Sequence, residues 1–371
     1  MSSPSHATFA VVTGGGTSGH VLAALAVADA LVARGRDRQA IHYVGTTRGV
    51  ERRLLPPTGY DHTLLDVVGL QRSMSMRNLA FVPKLIRSTW QARKLLRTLS
   101  PRVVVNVGGY ASAPATIAAM LCRVPIVVVS YDRRPGLVSK LMARRAAACA
   151  VAFDGSTLPR AHLTGAPVRQ EVLAVDRASD RHDARAHLDL PDDRFLVAVV
   201  GGSLGARRLN EVTAQVVELL RDRHDLVVYH VVGDRNLADA APGRDGDGGI
   251  MYRVRGYEDR MPLVYAAADL MMTRAGAATI AELAVVGMPA VIVPWPGAAE
   301  NHQVENAREL SDHGGAILIE EKDLTAQRLT GEITDLMADP ARLVEMSKAA
   351  GAIGARHRSG ALVDLIEQVA S

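Results

Sequence analysis

Residues 273–307 read TRAGAATIAELAVVGMPAVIVPWPGAAENHQVENA, and the punctuation of this stretch decides the fold. Residues 270–273 end an apolar strand, Gly276 opens a turn, and residues 278–286 form a helix that Gly287 stops; residues 290–294 then form a buried strand. Strand, Gly turn, helix and strand in this order belong to an open α/β sheet, in which ligands bind beyond the carboxyl ends of the strands.

The turn Arg274-Ala275-Gly276-Ala277-Ala278 leaves backbone N–H groups free at the start of a helix, beside a guanidinium that is always charged. That combination is a seat for a diphosphate. One turn further in, Glu282 offers a carboxylate that accepts two hydroxyl hydrogen bonds at once and so suits a ribose cis-diol. After the next strand comes the polar run Glu300-Asn301-His302-Gln303, and then Asn306. Taken singly these are ordinary helix and loop residues; their joint spacing is what points to a ligand.

The window resembles the donor site of the MurG family, the UDP-N-acetylglucosamine transferases that make lipid II for peptidoglycan. The residues that carry the resemblance are Arg274-Ala275-Gly276-Ala277, Thr279, Glu282, Gly287-Met288-Pro289, Asn301-His302-Gln303 and Asn306. It implies two Rossmann-like α/β domains facing across a cleft, the GT-B glycosyltransferase fold. It also implies a UDP-sugar held by Arg274, Ala277, Ala278, Thr279, Glu282, Gln303 and Asn306.

Working outward, 371 residues suffice for two domains with ample core. The expected division is 1–165 and 166–354, with a helix at about 355–371 packing back on the first domain. The plan of residues 8–34, strand then Gly loop then helix, restarts at Phe195 with Gly201-Gly202-Ser203-Leu204-Gly205-Ala206 and a helix over residues 207–223. Ser203 and Gly205 would present hydroxyl and N–H groups to a phosphate. Residues 174–194 are polar and charged, with the look of an inter-domain connection carrying a short helix.

The N-terminal loop is Thr13-Gly14-Gly15-Gly16-Thr17-Ser18-Gly19-His20, with a helix expected over residues 21–34 and closed by Gly35. It has neither the Lys-Ser/Thr of a P-loop nor G-x-G-x-x-G. His20 stands at the mouth of the sheet, where an imidazole works as a general base near neutral pH or simply holds the loop. By resemblance, Thr17, Ser18, Gly19 and His20 match the family's loop, with Ser18 replacing a usual Gly. The loop then faces the acceptor and the donor's diphosphate, and His20 is the base. A second turn, Gly108-Gly109-Tyr110-Ala111-Ser112, also matches and places Tyr110 and Ser112 beside the cleft. Arg169 resembles the residue at the domain junction that reaches the donor, and main chain near Tyr257 and Glu258 the uracil edge.

The match fails at Ser130-Tyr131-Asp132-Arg133-Arg134-Pro135, where the family has His-Glu-Gln-Asn and one residue more. Two arginines and an aromatic there could still grip a pyrophosphate and alter selectivity.

Composition excludes other classes. Two cysteines, Cys122 and Cys149, are too few for a disulfide framework or a zinc site and suit a reducing compartment. There is no signal-like N-terminus and no apolar run long enough to span a bilayer, so a soluble or peripheral protein is expected. Residues 1–165 hold 21 Lys and Arg against 7 Asp and Glu, whereas residues 166–371 hold 22 against 32. Between Asp66 and Asp132 there is no acidic residue; Arg72, Arg77, Lys84, Arg87, Arg93, Lys94, Arg97, Arg102 and Arg123 alternate there with Leu79, Phe81, Val82, Leu85, Ile86 and Trp90. A basic amphipathic helix or helix pair over residues 79–99, bent near Pro83, reads as a membrane-surface or phosphate-facing patch, or as a solvated helix with a buried face. Aromatic residues make up only 4% and no nucleic-acid motif occurs. Asp245-Gly246-Asp247 reads as a turn rather than a metal-binding Asp-x-Asp.

The expected activity is inverting transfer of N-acetylglucosamine from UDP to lipid I at the cytoplasmic face of the bacterial membrane, where the basic half meets anionic lipid. No cofactor is implied, and no metal is needed if helix dipole and arginine stabilise the leaving UDP. A GT-B transferase with another acceptor, a 2-epimerase, or a non-catalytic UDP-sugar-binding protein stay as alternatives. The epimerase requires further cleft carboxylates, which the N-terminal Gly loops lack.

Overall fold

The computed structural model describes residues 7–69, 81–202, 206–245, 248–298 and 301–371. Residues 1–170 with 359–371 form one compact unit, and residues 171–358 form a second.

The first unit is built on β1 (Ala10–Thr13), β2 (Ile41–Thr46), β3 (Asp61–Leu65), β4 (Val103–Asn106), β5 (Ile126–Ser130), β6 (Ala148–Val151) and β7 (Ala161–Leu163). They lie in the order β3-β2-β1-β4-β5-β6-β7, with every pairing parallel. Parallel strands covered on both faces need apolar side chains on both, and β1, β4 and β5 are buried at every residue. The connections are α1 (Ser18–Ala33), α2 (Glu51–Leu54), α3 (Phe81–Leu99), α4 (Ala113–Cys122) and α5 (Leu137–Ala143).

α3 packs on α4, and Ser88, Thr89, Ala92 and Leu96 are its buried positions. Val82, Ile86 and Trp90 point the other way, each more than half exposed. Pro83 is the third residue of α3, so the bend expected there does not interrupt the described helix. Arg72, Arg77 and Leu79 of the same basic segment lie outside the described residues.

The short α6 (Gln170–Leu173) and then α7 (Arg177–His187) lead into the second unit. α7 is no loose connection. Arg185 is fully buried and donates to the Asp269 carboxylate (2.8 Å) and to the carbonyls of Ala267 (3.0 Å) and Pro191 (2.8 Å). A charged residue looks like linker in a sequence until its carboxylate partner, 84 positions away, is found.

The second sheet comprises β8 (Phe195–Val200), β9 (Leu226–Val231), β10 (Arg244–Asp245), β11 (Met251–Arg255), β12 (Leu270–Thr273), β13 (Ala290–Ile292) and β14 (Ala316–Leu318), ordered β10-β11-β9-β8-β12-β13-β14. All pairings are parallel except β10 with β11. Asp245 thus ends a small strand; Gly246 and Asp247 lie outside the described residues. Around the sheet run α8 (Arg207–Leu219), α9 (Met261–Ala267), α10 (Ala277–Val286), α11 (His302–Ser311), α12 (Ala326–Ala338) and α13 (Pro340–Gly354).

α10 is buried over Ala277, Ile280, Ala281 and Leu283 through Val286, as its nearly uninterrupted apolar sequence requires. It ends at Gly287 in the left-handed conformation (φ 60°), whose carbonyl accepts from Arg177 Nη1 (2.9 Å) and Ser347 Oγ (2.7 Å).

The final helix, α14 (Ala361–Ala370), returns to the first unit and buries Leu362, Val363, Leu365, Ile366 and Ala370. Arg34 pairs with Asp364, and Arg36 Nη2 reaches Glu367 at 2.6 Å. Among the described residues no helix is long and apolar enough to cross a membrane.

Candidate active site

In each sheet the strand order reverses once, between β1 and β4 in the first unit and between β8 and β12 in the second. The loops leaving those strand pairs diverge and open a crevice at the carboxyl ends. Each crevice holds a cavity.

In the first unit the cavity is about 220 Å³ and is lined by residues from the carboxyl ends of β4 and β5 and by His20. The helix expected from residue 21 begins at Ser18, which places His20 in the first turn of α1. No side chain caps that helix, and Thr17 at its N-cap bonds the His20 ring instead, Oγ1 to Nδ1 at 2.8 Å. Burial pushes the imidazole below its ordinary pKa, and the negative charge of Asp132 works against that shift. The ring meets Tyr131 edge-on, with centroids 6.1 Å apart.

The glycines around it are sterically required. Gly108 and Gly109 have φ of +94° and +77°; a Cβ on Gly109 would lie 2.1 Å from the Gly15 carbonyl oxygen, and one on Gly108 would lie 3.2 Å from His20 Cδ2. The turn is held from behind by Asn106, whose Oδ1 accepts from Gly108 N (2.8 Å) while its Nδ2 donates to Thr116 (2.7 Å). Ser112 belongs to this lock: it is fully buried and donates to the Gly109 carbonyl (2.8 Å), so it does not face the cavity. Tyr110 does line it.

Beneath the Gly14–Gly16 stretch lies a residue that the sequence did not single out. Glu51, the first residue of α2, is fully buried, and its Oε1 accepts from the N–H groups of Gly16 (3.0 Å) and Thr46 (3.3 Å). Its Oε2 is buried without a hydrogen-bond partner among the described residues. The pattern Gly45-x-x-x-Gly49-x-Glu51 was its only signal: a Cβ on Gly49 would lie 1.9 Å from Oε2, so the glycines make room for the carboxylate.

The second unit's cavity is about 670 Å³ and is lined by the ends of β8, β12, β13 and β14: Gly201 and Gly202, Arg274 and Gly276, Trp295, and Glu321. Thr279 and Gln303 also face it. α10 starts here with Gly276 at its N-cap, no side chain capping it and no acid in its first turn. Its first N–H groups and the positive end of its dipole are therefore available to an anion.

Arg274 lines the cavity, but its guanidinium is engaged. It donates to the carbonyls of Val293 (3.1 Å) and Pro294 (3.2 Å) and pairs with Glu321, which offsets its charge. Gln303 Oε1 accepts from Trp295 N (2.8 Å) and Ala275 N (3.3 Å), bracing two loops of the cavity wall. Asn306 is fully buried and donates to the Ala275 carbonyl (3.3 Å), so it supports the anion turn from below.

Not every expected residue meets this cavity. Glu282 accepts from the Tyr265 hydroxyl (2.7 Å) and Glu258 from the Tyr229 hydroxyl (2.5 Å), and neither lines it. Burial would raise the Glu258 carboxyl, but the Tyr229 bond and those from Arg260 hold it below its ordinary value. Arg169 lies half-buried at the end of the first unit, and Ala277 and Ala278 stand behind Gly276 without lining the cavity. Thr17, Ser18 and Gly19 flank the other cavity without lining it. Ser203, Gly205 and Glu300 lie outside the described residues.

Comparison with known proteins decides the family. The glycosyltransferase family 28 N-terminal domain matches residues 10–151 and the family 28 C-terminal domain matches residues 196–363. Clavibacter michiganensis subsp. michiganensis has a relative named UDP-N-acetylglucosamine–N-acetylmuramyl-(pentapeptide) pyrophosphoryl-undecaprenol N-acetylglucosamine transferase. It is 39% identical over 360 residues, covering 97% of this chain and 96% of the relative. A Streptomyces avermitilis protein of the same name is 40% identical over 96% of this chain and 97% of its own. The crystal structure of MurG from Acinetobacter baumannii matches with a TM-score of 0.71 at 28% identity, covering 97% of this chain and 98% of that one.

The chain belongs to the MurG family. Its fold is accordingly GT-B, and it is a UDP-N-acetylglucosamine hexosyltransferase. The MurG-family motifs in the sequence marked the glycines and the ends of α1 and α10. They did not mark Glu51, Trp295 or Glu321, whose partners come from distant segments.

Proposed function

We propose that the protein transfers N-acetylglucosamine from UDP-N-acetylglucosamine to lipid I, with inversion at the anomeric carbon, to give lipid II for peptidoglycan. The observation that carries this reading is the uncapped start of α10 in a cavity sized for a nucleotide sugar, in a chain about 40% identical to transferases named for this reaction.

His20 Nε2 takes the proton of the acceptor hydroxyl while the hydroxyl oxygen attacks the anomeric carbon. The bond from that carbon to UDP breaks, and the electron pair leaves on the diphosphate. With Nδ1–H donating to Thr17, the lone pair lies on Nε2, as a base requires. The N–H groups at Ala277 to Thr279 receive the diphosphate; a donor so placed is worth roughly 3 kcal/mol in comparable anion holes. Arg274, already paired with Glu321, shapes the turn and adds little net charge. By resemblance to the family, Glu282, which Tyr265 holds outside the cavity lining, is assigned the ribose hydroxyls and the main chain near Glu258 the uracil edge.

The acceptor is lipid-borne, and α3 supplies a means of reaching it. Val82, Ile86 and Trp90 recur every four residues and are exposed, flanked by Lys84, Arg87, Arg93, Lys94 and Arg97. The Arg93 guanidinium lies 5.4 Å from the Trp90 ring centroid. We assign this face to the anionic cytoplasmic leaflet, each cation other than Lys84, which pairs with Asp66 (2.8 Å), adding about 1 kcal/mol near the surface. Flotation with phosphatidylglycerol vesicles should be strong for wild type and lost in the Ile86→Glu, Trp90→Glu double variant.

The deciding experiment is transfer of labelled N-acetylglucosamine to a short-chain lipid I analogue, wild type beside His20→Ala and Glu282→Ala. Lipid II formation by wild type alone supports the reading. Binding of UDP-N-acetylglucosamine without lipid II formation supports the second reading, a different acceptor, which the divergent Ser130 to Pro135 segment favours.

A further inference from the structure

We infer that Asp132, in the segment where this chain departs from its family, is the positioning and charge partner of His20, supplying the carboxylate that steadies the imidazolium formed during transfer. The inference rests on reading His20 as the base.

Three independent contacts define where the ring can be. Thr17 fixes Nδ1 at 2.8 Å. The backbone at Gly108 closes one side, since even a Cβ there would stand 3.2 Å from Cδ2 and 3.4 Å from Nε2. The edge of Tyr131 closes another, with centroids 6.1 Å apart and planes at 62°. Tyr131 is itself buried at the end of β5, so the residue that follows it is delivered to the same small cavity that His20 lines. That residue is Asp132.

The groups facing the ring are Thr17 on its own element, Tyr110 from the turn after β4, Tyr131 and Asp132 from the segment after β5, and Ser139 from α5. Among the described residues Asp132 is the charged one that acts on it, and its carboxylate favours the protonated ring. Arg133 and Arg134 follow it in the chain but are exposed, and the Arg133 guanidinium lies over the Phe153 ring at 5.8 Å.

A proton arriving on Nε2 creates a cation in a confined, partly dry space. A carboxylate in the same cavity offsets that cost at the moment the acceptor oxygen needs to lose its proton, and it raises the basicity of the ring. The family's amide- and acid-bearing segment is thus replaced by one that keeps a single acid at the ring.

The test is the pH dependence of kcat/KM for the lipid I analogue in wild type, Asp132→Asn, Asp132→Glu and His20→Ala, with donor KM measured in each. Asp132→Asn should move the acid limb to lower pH, because a charge that raises the ring's pKa is gone, and should lower the plateau about tenfold with donor KM unchanged. Asp132→Glu should recover part of both. A plateau that falls with the acid limb unmoved, or a variant indistinguishable from wild type, would overturn the role of Asp132. If His20→Ala keeps the wild-type acid limb, the base itself is misassigned, and the two failures are distinguished.

Discussion

The two crevices are built alike and equipped differently. Each opens where a parallel sheet reverses order, and each is walled by a Gly-rich loop and a helix start. In the first unit the N–H of Gly16 is already taken by the buried Glu51 carboxylate, and what faces the small cavity is titratable: His20, Tyr110, Tyr131 and Asp132. In the second unit the helix start is uncapped, as that of α1 is, but the acids Glu258 and Glu282 are tied to tyrosine hydroxyls and Arg274 is neutralised by Glu321. On the proposed mechanism the same architecture serves proton chemistry in one half and holds a diphosphate in the other. A Gly loop before a helix is not by itself a phosphate seat; what fills its N–H groups decides.

The comparison breaks most visibly at His20. His20→Ala should cut turnover by about 10³-fold while leaving the affinity for UDP-N-acetylglucosamine, measured by calorimetry, unchanged. Loss of donor binding in that variant would mean the two crevices do not divide the labour.

Next comes Glu51→Ala, which strands the N–H groups of Gly16 and Thr46 under the loop. About 3 kcal/mol of local stability should go, seen as faster hydrogen exchange over residues 13–20 and in no segment of the second unit.

A third effect, no larger, belongs to the second unit. His230 is fully buried between the Tyr252 hydroxyl (2.8 Å on Nδ1) and Asn210 Oδ1 (3.1 Å on Nε2), and burial lowers its pKa to about 4. A histidine whose pKa is depressed on folding binds its proton more readily in the unfolded chain. Its contribution is therefore intact above about 6.5 and declines as pH falls from there to about 4, by roughly 3 kcal/mol. Urea midpoints for the second unit should follow that slope, and His230→Leu should flatten it.

The mildest change sharpens the contrast most. Gly276→Asp meets no steric obstacle, its φ being −63° and the nearest atom to a Cβ being Thr279 Oγ1 at 3.6 Å. The new carboxylate would cap α10 as aspartate commonly does, so melting temperature should hold or rise while UDP affinity falls about tenfold. Equal affinity would show that the diphosphate does not sit at this helix start.

The strands legible in the sequence were those buried on both faces and bounded by Gly or Asp. β8 and β12 fall at the residues their apolar runs predict, and α10 starts one residue earlier than expected. β3 was not legible because Asp61-His62-Thr63 is polar and only half covered; nor was β7, whose three residues are all exposed at the sheet edge. At the site, glycine and proline positions were readable because backbone geometry leaves a mark at one position. Glu51 under Gly16, Arg185 on Asp269 and Glu321 on Arg274 were not, since each acts on a partner 35 to 84 positions distant.

The return of α14 has a bearing on how the protein is made. Arg34 and Asp364 are 330 positions apart, so the first unit cannot bury the faces α14 covers until the whole of residues 171–358 has left the ribosome. Yet the detour closes on itself: Arg358 Nη1 donates to the Leu173 carbonyl at 2.6 Å, bringing the two ends of the intervening unit side by side. Once that unit has folded, it joins residue 170 to residue 359 as a short loop would, and the entropic cost of recruiting α14 falls accordingly. Synthesis order thus favours a second unit that matures and then delivers the last helix to the first.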